Sequence, residues 1–139
     1  MDQKGQISIE FALIIAIMLV LVLLIASYAG AENESNVVLS AARSGAMNAT
    51  TNAVLLNSSV EPTRVDDIQL INGTGQDLII SINLSTVPPD TNYSNSILNS
   101  TLNSIAAQGY TRINSTNPET DPLNDYISTS RHTYHVEIA

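Results

Sequence analysis

Between Phe11 and Ala26 the chain reads FALIIAIMLVLVLLIA, sixteen consecutive apolar residues, and neither glycine nor proline occurs anywhere from Gln6 to Ala29. The 21 residues from Gln6 to Ala26 form a helix of about 32 Å, against roughly 30 Å of hydrocarbon in a bilayer. A helix apolar on every side must be surrounded by lipid or by other helices. The 80 residues from Val60 onward are too few to wrap it. The segment therefore belongs in a membrane, or in a bundle of copies of itself. Three readings compete for it. A secretory signal would be cut after it, and Ser27-Tyr28-Ala29-Gly30-Ala31 loosely offers small residues for such a cut. A plain transmembrane anchor fits the length, with Lys4 on the cytoplasmic side. The third reading turns on Glu10.

Helical periodicity continues past the membrane edge. Val38, Ala41, Ala42, Gly45, Ala46, Ala49, Ala53 and Leu56 recur at steps of three and four, which places small residues on one stripe. Asn57-Ser58-Ser59 and Pro62 close the pattern. The spacing predicts one helix over residues 6–59, with 6–29 as the membrane or core half. Residues 60–139 then read as a β-rich head. Ile68 and Leu70 precede a Gly-containing loop, after which Leu78, Ile80, Ile82 and Leu84 alternate with Ile79, Ser81, Asn83 and Ser85, the pattern of a hairpin. A short amphipathic helix runs through Ile97, Leu98, Leu102 and Ile105 and ends before Gly109. Strands are expected over 110–113, 125–128 and 133–138. The expected class is α+β: a long N-terminal helix carrying a small antiparallel sheet, with the small-residue stripe as the nearest cover for the sheet's apolar face.

Apart from the apolar run, 45 of 123 residues, or 37%, are apolar, which is lean for a packed globule. The formal charge is −8, which argues against a nucleic-acid partner. Cysteine is absent, which excludes disulfides, thiolate zinc sites and a thiol nucleophile. His132 and His135, three apart on a strand, face opposite sides and do not share a metal. No Gly-x-Ser-x-Gly elbow is present. Gly73-Thr74-Gly75 lacks the rest of a phosphate loop. Asp66-Asp67 and Asp121/Asp125 lack calcium-loop spacing. The expectation is a protein that is not an enzyme and carries no cofactor or metal. Tyr93, Tyr110, Tyr126 and Tyr134 are expected at the core edge with hydrogen-bonded tips.

Glu10 lies beside the apolar run, where a carboxylate is costly unless it is paired or held near the interface. One solution places it among the head groups, near the helix N-terminus. Another supplies a cation: a cut before Gln6 creates an α-ammonium one helical turn away, and within reach of a neighbouring subunit's Glu10 if subunits pack with an axial step, unless the exposed Gln6 cyclises and removes it. Lys4-Gly5 followed by Gln6-Ile7-Ser8-Ile9-Glu10-Phe11 and an unbroken apolar helix resembles the class III signal peptide of archaeal type IV pilins, whose motif is Gln-x-Ser-x-Glu after a basic residue and Gly. The resemblance covers about the first 26 residues. It implies removal of a leader, residues 1–5, by a prepilin peptidase that cuts between Gly5 and Gln6, with Lys4, Gly5, Gln6, Ser8 and Glu10 as the processing motif. It also implies retention of the helix as a filament core, with Glu10 and Phe11 serving assembly. The implied partners are further copies of the chain in a helical homopolymer, a membrane assembly platform, and the membrane itself before assembly. The precursor would sit in the cell membrane and the mature chain in an extracellular adhesive pilus. A minor pilin or pseudopilin, and a single-pass surface binding protein that never polymerises, are the alternatives.

Asparagine supplies a second signal. Eight of 14 asparagines head an Asn-x-Ser/Thr triplet: Asn33, Asn48, Asn57, Asn72, Asn83, Asn92, Asn99 and Asn114. With 28 serines and threonines in the chain, chance supplies about three such triplets. All eight follow the apolar run and are candidate N-glycosylation sites for an oligosaccharyltransferase. Hydrated sugars would shield an ectodomain poor in charge and free of disulfides.

Overall fold

In a computed structural model, residues 3–56, 61–114 and 125–139 are described. Helix α1 spans Gln3–Leu56. It is followed by strands β1 (Val65–Asn72) and β2 (Asp77–Leu84), helix α2 (Thr91–Ala106), and strands β3 (Thr111–Ile113), β4 (Tyr126–Ser128) and β5 (Thr133–Ile138). The α+β class with a long helix before a sheet is as expected. The chain divides into two compact units, Met1–Ser35 and Asn36–Ala139.

The first unit is helical from Gln3, and the large apolar side chains from Ile9 to Ile25 are all exposed, from 44% at Ile15 to 71% at Ile9. It contains no proline, and no glycine interrupts the stretch from Gln6 to Ala29, so nothing breaks the apolar run.

In the second unit the later part of α1 joins the head. Val38, Ala41, Ala42, Gly45, Ala46 and Ala49 are buried. The stripe stops earlier than its periodicity suggested, because Ala53 is half-buried and Leu56 is 88% exposed. Small residues matter here because α2 comes very close. A Cβ on Gly45 would lie 2.6 Å from the Ser100 carbonyl oxygen and 2.7 Å from the Thr101 Cα. Ser100 Oγ donates to the Gly45 carbonyl at 2.8 Å. On α2, Ile97, Leu98, Thr101, Leu102 and Ile105 form the buried face. That helix begins at Thr91, well before its first apolar pair Ile97-Leu98, because Asp90 caps it by accepting the Tyr93 N–H at 2.7 Å. Gly109, at φ +96°, ends the segment in the left-handed region that favours glycine.

The five strands form one sheet in the order β1-β2-β5-β4-β3. The expected all-antiparallel sheet is corrected on one pair: β2 and β5 run parallel, with Ile80 opposite Val136 and Ile82 opposite Ile138. The reason is the crossover. Parallel neighbours need a long connection, usually helical, and α2 with β3 and β4 supplies it. β5 returns antiparallel to β4 and inserts beside β2. Ile68, Ile80, Ile82, Ile127, Tyr134 and Val136 of the sheet share one core with the α1 stripe and the buried face of α2. The stripe-bearing helix thus shares the cover of the sheet with α2.

Candidate functional site

Two features bear on function: the exposed apolar helix and the distribution of the sequons. Along α1, the exposed apolar side chains form no single stripe; they surround the helix, so water is excluded as their permanent environment. Glu10, also exposed, stands at the edge of this zone. At its other end Tyr28, 70% exposed, donates its hydroxyl to Glu32 one turn on. An aromatic ring with a polar tip followed by carboxylates marks a boundary between apolar and aqueous surroundings. Lys4, Gly5, Gln6 and Ser8 lie on the helical backbone of α1, and their side chains lie outside the described residues. Phe11 is 63% exposed. The structure therefore brings Glu10 and Phe11 to an unpartnered helical surface and does not gather them into a pocket.

The sequons fall in different environments. Asn33 and Asn48 on α1, Asn72 at the end of β1, Asn92 at the start of α2, and Asn114 after β3 are exposed. Asn83, on β2, and Asn99, on α2, are half-buried. Asn57 lies outside the described residues. Asn99 is engaged: its Oδ1 accepts from Arg112 Nη2 at 2.6 Å.

Arg112 is a focus that periodicity did not reveal. From β3 its guanidinium donates to Asn99 and Asn103 of α2, each at 2.6 Å, and to Asp125 just before β4, also at 2.6 Å. It fastens helix to sheet, and its side chain is only 19% exposed. The other acidic residues weighed for calcium are similarly occupied. Asp66 pairs with Arg64 at 3.2 Å. Asp67 accepts from Gln69 at 2.8 Å and lies 3.9 Å from Arg43. Asp121 lies outside the described residues. His132 sits edge-on to Tyr134, whereas His135 lies 5.5 Å from the Tyr126 ring. Of the tyrosines expected to carry hydrogen-bonded tips, Tyr93 departs: its buried hydroxyl has no partner among the described residues. Among those residues no group of three or more potential metal ligands occurs.

The sheet face opposite the helices holds a further feature. Ile71, Ile79, His135, Tyr126 and Ile113 follow one another in direct register across all five strands. Ile71 is 43% exposed and the other four are half-buried, a partly apolar row on an otherwise polar face.

Residues 5–47, less than a third of the chain, match the family model described as TadE-like protein. The matched stretch contains the Glu10 motif, the whole apolar run and the start of the small-residue stripe. No curated protein and no solved structure matches the chain.

Proposed function

We propose that this chain is a pilin-like structural subunit of an archaeal type IV-like adhesive pilus. The observation that carries the proposal is a helix exposed and apolar on all sides, joined in sequence to a head with its own core. The TadE-like match over residues 5–47 supports a pilus-related role, and it falls on this helix. The precursor spans the membrane with its N-terminus in the cytoplasm. A prepilin peptidase cuts between Gly5 and Gln6, and the helix is retained.

Assembly then transfers the helices from lipid into a bundle of their own kind. Between lipid and helix neighbours the apolar side chains gain little by hydrophobicity alone; close packing and removal from water outside the membrane supply the difference. Glu10 has no such neutral exchange. In a dry bundle its carboxylate needs a cation, and the Gln6 α-ammonium of an axially displaced neighbour supplies one. That pairing sets the axial step between subunits. Repeated contacts between unlike faces do not close into a ring, so the product is a fibre. The heads pave its outside, and those sequons whose asparagine and hydroxyl are both accessible accept sugars from an oligosaccharyltransferase.

N-terminal peptide mass spectrometry of the chain from purified surface fibres tests the reading. A mature terminus at Gln6 in fibre material is expected. A terminus beyond Ala26, or fibres free of this chain, would overturn the proposal in favour of a secreted or merely anchored surface protein.

A further inference from the structure

Eight sequons look equivalent as triplets, and folding makes them unequal. The motif demands a hydroxyl two residues after the asparagine, so an enzyme that reads it must reach that hydroxyl as well as the amide. In the triplet of Asn48 the hydroxyl belongs to Thr50, which is 5% exposed and donates to the Met47 carbonyl at 3.0 Å. In the triplet of Asn99 it belongs to Thr101, which is fully buried and donates to the Ile97 carbonyl at 2.8 Å. Both triplets are wound into helices, α1 and α2, within the same core. Ser100, between Asn99 and Thr101, is tied to the Gly45 carbonyl, and Asn99 itself is held by Arg112. Presenting either hydroxyl requires unwinding a helical turn and pulling a side chain out of the packed interior. By contrast Asn72 and its Thr74 are both exposed at the β1–β2 loop.

We propose that folding of the head withdraws Asn48 and Asn99 from glycosylation, so that a sugar on either one marks a chain modified before its head closed. In the transfer, Asn Nδ2 bonds to the anomeric carbon of a phosphate-activated sugar, the phosphate leaves with the bonding electron pair, and an amide proton passes to a base. None of this can start while the triplet cannot be seated. The proposal separates from simple surface exposure at Asn48, which is exposed although the threonine that carries its partner hydroxyl is buried. The two sites also differ in consequence. A sugar placed early on Asn48 projects to solvent and leaves the fold intact. On Asn99 it competes with the Arg112 contact that joins α2 to β3.

This inference rests on reading the sequons as acceptors, and occupancy in material from the native source tests that reading separately. The withdrawal itself is tested on detergent-solubilised full-length chain made in a host without N-glycosylation. The chain is incubated with a soluble Asn-x-Ser/Thr glycosyltransferase and a nucleotide-activated hexose. Peptides covering residues 44–54, 68–78 and 94–105 serve as unfolded references, and glycopeptides are followed by mass spectrometry. All three peptides should be modified, and in the folded chain Asn72 should keep pace with its peptide. Asn48 and Asn99 should fall at least tenfold behind theirs. Equal rates in chain and peptide at either site would overturn the proposal. So would inert 44–54 or 94–105 peptides, because folding would then not be the cause. An inert Asn72 in the folded chain would overturn it too, since an exposed hydroxyl would then confer no access.

Discussion

Arg112 ties β3 to α2 and to the residue before β4, with four hydrogen bonds to Asn99, Asn103 and Asp125. Its Asp125 partner is 11% exposed at the side chain, so the pair is largely desolvated. Arg112→Ala removes the guanidinium and its hydrogen bonds to Asn99, Asn103 and Asp125. The expected loss of head stability is on the order of 2 kcal/mol, read from denaturant unfolding; a loss below about 0.5 kcal/mol would refute the role. Tyr93 poses the opposite case. Its ring fills the core while its hydroxyl lies buried without a partner among the described residues. Tyr93→Phe should therefore leave stability unchanged or raise it by up to about 1 kcal/mol, by the same assay. A clear loss would mean that the hydroxyl is satisfied after all. Neither feature was legible beforehand. The partners of Arg112 lie 9 and 13 residues away in the chain, and no local pattern links them.

Helix α1 carries two different chemistries on one backbone. Its first part offers apolar surface in every direction, and its later part offers a stripe narrow enough for α2 to approach at Gly45. Both were readable because helical periodicity is local. Glu10 belongs to the first part, and its proposed role can be separated from mere insertion. Glu10→Ala removes a charge from the edge of the apolar run, so under the proposed function the precursor should remain in the membrane fraction at wild-type levels. Fibre yield should fall at least tenfold, measured by shearing and quantifying surface filaments. Wild-type fibre yield from the variant would sink the pairing. Among the strands, the hairpin of β1 and β2 was readable from alternation and a Gly loop. The parallel pairing of β5 with β2 was not, because β5 shows the same alternation whether its neighbour runs with it or against it.

The whole molecule has two units with opposite solvent requirements. Residues from Asn36 onward hold a core of buried aliphatic side chains, Tyr93 and Tyr134, and that core draws on α1, α2 and all strands but β3. A fragment comprising 36–139 should thus fold on its own, dissolve without detergent and unfold cooperatively, whereas the full chain should need detergent or assembly. Far-UV circular dichroism and size-exclusion chromatography check this. A fragment that aggregates or lacks a cooperative transition would show that the head depends on the apolar half.

Apolar run, stripe, turn residues and sequon triplets are properties of neighbours in the chain, and each could be read in order because helices and hairpins are built from short-range periodicity. They established a membrane-compatible helix followed by an α+β head. Long-range choices were another matter. Which strand lies beside β2, where α2 seats against Gly45, and which residues Arg112 gathers depend on how elements meet once backbone entropy has been lost. The same holds for the sequons: eight alike triplets become distinct because burial of a threonine hydroxyl is a property of packing, and packing is not written in any three residues.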